Sequence, residues 1–120
     1  MADAIVMIDD LFFQAKLHET AKLTGTTLQT VTTGEQLVKS AAASPAALIL
    51  VDLNARNGPL DAIEQLGKSA TPGNPRKVIA FLSHVQTDLA ERARAAGCHD
   101  VMPRSKFTQN LAAILSAAKS

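Results

Sequence analysis

Three aspartates mark the places where this chain could do chemistry. Asp9 and Asp10 follow the apolar run Ile5-Val6-Met7-Ile8, and Asp52 ends a second one, Ile49-Leu50-Val51. If the two runs are neighbouring strands, the three carboxylates share one crevice, where mutual repulsion raises the pKa of at least one unless a cation joins them. Mg2+ suits such a set, because it takes oxygen ligands and keeps several waters. Asp9 and Asp10 have a second use, since acidic residues cap helix starts and complement the helix dipole there. Asp52 has no such alternative: an aspartate ending an apolar strand is either exposed or specifically partnered.

Other reactive side chains lack a constellation. The single cysteine, Cys98, can form neither an internal disulfide nor a zinc cluster, which fits a reducing cytosol. His99 beside it lacks a second spaced pair, His18 falls in a helical pattern and His84 reads as a solvated loop residue. Twelve Lys+Arg against eleven Asp+Glu, no basic run and 3% aromatic residues argue against nucleic acid as a partner. No apolar run approaches the roughly 20 residues of a membrane span, and the first residues do not resemble a signal peptide. A cytoplasmic protein is expected.

The aspartates must be held by elements of a definite kind. The chain's 120 residues, 47% hydrophobic, suffice for one domain over 1–120 and are too few for two. Ala4–Ile8, Ala47–Leu53 and Val78–Leu82 are continuous apolar runs, the pattern of parallel strands buried on both faces. Thr27–Thr32 and Asp100–Met102 complete the alternation as weaker strands. Between them lie helical patterns: one with Phe13, Leu17 and Ala21 inward and Gly25 as its stop, and one opened by Thr33 with Gln36 as a capping box. Another starts at Pro59 and ends before the loop Thr71–Pro75, a fourth is capped by Asp88 with Glu91, and a last one is capped by Ser105, with its apolar stripe running to Ala118. Met102-Pro103 is a candidate for a cis bond. Five β/α units of this length predict an open, doubly wound α/β parallel sheet of order 2-1-3-4-5, with ligands beyond the carboxyl ends of strands one and three.

Ile5-Val6-Met7-Ile8-Asp9-Asp10, Leu50-Val51-Asp52 and Ala95-Ala96-Gly97 together resemble the receiver domain of bacterial response regulators, over essentially the whole chain. The resemblance implies a flavodoxin-like fold and a signalling role without turnover of an external substrate. It also implies Asp52 as acceptor of a phosphoryl group from a histidine kinase or a small phosphodonor. Asp9, Asp10 and Asp52 would hold Mg2+ with the backbone carbonyl of Asn54. A downstream protein would dock on the face of helix four, strand five and helix five, where Arg92, Arg94, Arg104 and Lys106 fall. The chemistry is consistent, since a carboxylate can attack phosphorus and a metal offsets the charge that builds up in transfer.

Three positions depart from that pattern. At the family's spacing from Gly97, the usual hydroxyl falls on Leu82, and Ser83 one residue later would replace it only across a bulge or a shortened loop. The usual lysine falls on Arg104, which brings charge but a planar fork. The usual aromatic switch falls on Val101. These departures support a second reading, a pseudo-receiver that binds proteins without switching by phosphorylation. A flavodoxin-like cofactor carrier lacks its phosphate loop, and acidic residues there would repel a phosphate.

Overall fold

A computed structural model describes residues 3–43, 46–56, 58–68, 77–83 and 87–117. The expectations for Thr71–Pro75, His84 and Ala118 lie outside these residues. The apolar runs form the centre of the sheet: β1 (Ala4–Met7), β3 (Leu48–Asp52) and β4 (Lys77–Leu82) are buried along nearly their whole length. The edge strands β2 (Leu28–Val31) and β5 (Asp100–Pro103) are shorter on apolar residues and partly exposed. All pairings are parallel, in the order β2-β1-β3-β4-β5, which is the expected topology.

Side chains alternate between the two faces of the sheet, so each face seeds its own core. Ile5, Met7, Ile49, Val51, Ala80 and Leu82 pack with α2 (Gly34–Ala43), α3 (Pro59–Lys68) and α4 (Thr87–Ala96). Ala4, Val6, Leu48, Leu50 and Phe81 pack with α1 (Leu11–Thr24), α5 (Arg104–Gln109) and α6 (Leu111–Ala117). The register Met7↔Val51 puts the residues just after β1 beside Asp52, and Asp52↔Phe81 carries the alignment on to β4.

Local signals explain most of the helix boundaries. Asp10 caps α1 by accepting the N–H groups of Phe12 and Phe13, and Gly25 ends the helix at φ 70°, a left-handed conformation that glycine adopts without a Cβ clash. Thr33 Oγ1 accepts Gln36 N–H as expected, but Gln36 reaches back to Thr32 rather than to Thr33. Asp88 lies inside the first turn of α4, which begins at Thr87. The last helical region differs from the sequence reading: it begins at Arg104 after Pro103, so Ser105 is not its cap, and it is divided at Asn110. The Asn110 amide bonds back to Lys106 O, a local side-chain contact of the kind that competes with helix continuation. The Met102–Pro103 bond is trans.

Candidate functional site

The carboxyl ends of β1 and β3 bring the acidic residues together, and a cation already stands among them. Arg104, the first residue of α5, donates from Nη1 to Asp10 Oδ2 at 2.9 Å and from Nη2 to Asp52 Oδ2 at 3.1 Å. Its guanidinium lies over the Phe13 ring, 4.8 Å from Cζ to the centroid, and 5.7 Å from that of Phe81. Aromatic faces attract a guanidinium electrostatically, so the rings form an apolar seat that also holds the charge. Phe81 in turn stacks on Phe107 at 4.3 Å, and Phe13 meets both edge-on. A cation at a helix N-terminus is disfavoured by the helix dipole. Here two carboxylates outweigh that effect.

Every oxygen of Asp10 and Asp52 has a use within the chain. Asp10 Oδ1 caps α1, while Asp52 Oδ1 accepts Asn54 N–H at 2.9 Å in a tight turn after β3. Asp9 is more exposed and accepts Arg56 N–H through Oδ2 at 3.2 Å, spanning from β1 to the loop after β3. The Phe13 N–H and the Arg104 guanidinium hold the Asp10 carboxyl below the usual range. The Asp52 carboxyl is pushed up, because its burial at 1% exposure outweighs the Asn54 N–H and the Arg104 charge, and the negative charges of Asp9 and Asp10 add to the effect.

Asp9, Asp10 and Asp52, expected to hold Mg2+, are engaged within the chain. Among the described residues no group of three His, Cys, Asp or Glu side chains is arranged to hold a metal. The oxygens that a cation would share between Asp10 and Asp52 already accept from Arg104.

The other site residues separate. Leu82 is buried in the core on the α2–α4 side, in one cluster with Val101, and faces away from Asp52. Ser83 is exposed beyond the end of β4, and its backbone N–H donates to Asn54 Oδ1 at 2.6 Å, tying the loop after β3 to the loop after β4. Arg104, expected both at the position of the usual lysine and among the charges of the docking face, turns into the pocket, while Arg92, Arg94 and Lys106 are exposed. Sequence reasoning missed the seat made by Phe13 and Phe81. Both were legible as core residues, but nothing in their spacing showed that a cation lies on them. Cys98 is buried, which pushes its thiol up to about 12 and leaves it a packing residue.

No protein-family model matches the chain, and no curated protein matches it in sequence. Solved structures do match. A response regulator from Hahella chejuensis superposes with a TM-score of 0.79 at 19% identity, covering 96% of this chain and 92% of that one. A DNA-binding response regulator of the LuxR family from Staphylococcus aureus gives 0.77 at 12% identity, covering 100% of both chains. The beryllofluoride-activated receiver domain of NtrC4 gives 0.75 at 16% identity, covering 96% and 97%. The chain has the receiver fold of response regulators, the flavodoxin-like architecture expected from its β/α order. Among the described residues no helix is long and apolar enough to cross a membrane.

Proposed function

We propose that the protein is a pseudo-receiver: a protein-interaction module of two-component signalling whose acidic pocket is closed by its own arginine rather than switched by phosphorylation. The observation that carries this reading is the fork of Arg104 between Asp10 and Asp52. A planar guanidinium meets two carboxylates at once, which a lysine ammonium on a flexible stem does not do in the same fixed geometry. Val101 supports it, since it has no ring to rotate. Output then rests on a standing surface, formed by α4, β5 and α5 with Arg92, Arg94 and Lys106 exposed, that binds a downstream protein in the cytoplasm.

A second reading is favoured by one observation. Asp9 reaches across to Arg56 N–H and so lies over the same crevice as Asp10 and Asp52. In that reading Asp52 accepts a phosphoryl group from a histidine kinase or small phosphodonor, with Mg2+ held by Asp9, Asp10, Asp52 and the Asn54 carbonyl. It requires Arg104 to leave both carboxylates.

Amide NMR spectra with millimolar Mg2+, and then with Mg2+ and beryllofluoride, separate the two. The pseudo-receiver reading expects residues 9–10 and 52–54 to stay within the small shifts of an ionic-strength control. Saturable shifts there that spread to 100–106 would establish the second reading instead.

A further inference from the structure

The large hydrophobic side chains that are exposed among the described residues all lie on α1: Leu11 at 76%, Phe12 at 92% and Leu23 at 81%. Scattered exposed apolar residues are ordinary on a protein surface. These are not scattered. The helix buries Phe13, Leu17 and Ala21, and at about 100° per residue the opposite side carries Leu11, Phe12, Ala15, Glu19, Lys22 and Leu23. Phe12 and Leu23 stand about three turns, or roughly 17 Å, apart on nearly the same line. Ala15, Lys16 and Glu19 between them are exposed, and among the described residues neither Lys16 nor Glu19 takes part in an ion pair.

We propose that this face is the contact between two copies of the chain, with their α1 helices packed antiparallel about a two-fold axis. A two-fold contact must be self-complementary, so each residue has to suit the residue it meets on the second copy. With Phe12 of one copy on Leu23 of the other, the helix centres coincide between residues 17 and 18, and this register sets Lys16 opposite Glu19. Symmetry repeats both pairs. The pattern is therefore apolar at each end, with an ion pair inside each end. A helix of unrelated sequence has no reason to match a Lys/Glu pair at that spacing, whereas a second copy matches it in both directions. The face starts at the pocket rim, since Phe12 N–H bonds Asp10 Oδ1, but it leaves Arg104 uncovered and does not depend on how the pocket is read. A single helix pair is at the small end of stable interfaces, so the dimer is weak.

Sedimentation equilibrium of the whole chain from about 5 µM to 1 mM tests this, with thermal melts by circular dichroism checking that each variant folds. A reversible monomer–dimer equilibrium is expected. Phe12→Glu should weaken it at least tenfold, Lys16→Glu and Glu19→Lys alone several-fold each, and the double variant Lys16→Glu/Glu19→Lys should return to within about twofold of the parent, since it restores opposite charges across the axis. A chain that stays monomeric at 1 mM overturns the proposal and leaves the face bare or to another protein. So does a dimer indifferent to Phe12→Glu, or a double variant as weak as the singles.

Discussion

Arg104 and Asp52 form an ion pair at 3.1 Å in which the carboxylate is almost wholly buried and the guanidinium is about a quarter exposed. A buried carboxylate without a partner is costly, so this contact joins the start of α5 to the end of β3 and sets the character of the pocket. Because the same guanidinium also holds Asp10, three segments far apart in sequence meet at one side chain.

Replacing Arg104 should therefore cost stability, not release it. Arg104→Met leaves Asp52 buried and unpaired, and urea unfolding should show a loss of about 2–3 kcal/mol, below the range for fully buried pairs because the guanidinium is partly exposed. Arg104→Lys keeps the charge but not the fork, and about 1 kcal/mol is expected. In a cycle with Asp52→Asn, the double variant should be at least about 1 kcal/mol better than the sum of the singles.

The two carboxylates should respond to pH in opposite senses. Asp10 is held below the usual range by the Phe13 N–H and Arg104, so it adds stability that is present above the ordinary carboxylate pKa and lost as pH falls through its folded value. Asp52 is raised by burial, so its contribution declines as pH rises from the ordinary carboxylate range through its folded value. Urea midpoints between pH 3 and 7 should show a shallower acid loss in Asp10→Asn than in the parent. Asp52→Asn should remove an opposing decline and so steepen the net gain with rising pH. Equal pH slopes in all three proteins would contradict this electrostatic account.

The aromatic seat should be coupled to the arginine. Phe13→Ala removes a ring that packs on Phe81 and Phe107 and lies under the guanidinium, and a loss of about 3–5 kcal/mol is expected. In the Arg104→Met background the loss should be smaller by about 0.5–1 kcal/mol, the size of a cation–π contact. Additive losses in the double variant would show that the ring serves packing alone.

The fold was legible in the sequence because its signals are local: apolar runs of strand length, Gly25 after a helical stripe, Pro59 at a helix start. So was the convergence of Asp9, Asp10 and Asp52, which follows once the strand order is known. The direction of Arg104 was not legible. As the first residue of α5 it could point to solvent or into the crevice, and that choice depends on Phe13 and Phe81, which lie far away in sequence and reach it only through the sheet. The division of the last helical region at Asn110 was missed for a related reason. An apolar stripe through Phe107, Leu111 and Leu115 continues across it, and nothing in that pattern marks Asn110, whose side-chain amide turns back to Lys106 O.

The most direct test of the pocket's role is the intact mass of the protein after incubation with a small phosphodonor and Mg2+. With Arg104 seated between Asp10 and Asp52, the mass should remain that of the unmodified chain, under conditions in which a receiver with a complete residue set is labelled. A gain of one phosphate that disappears in Asp52→Asn would contradict the account, because it would show that Arg104 yields the site and that Asp52 is a working phosphoacceptor.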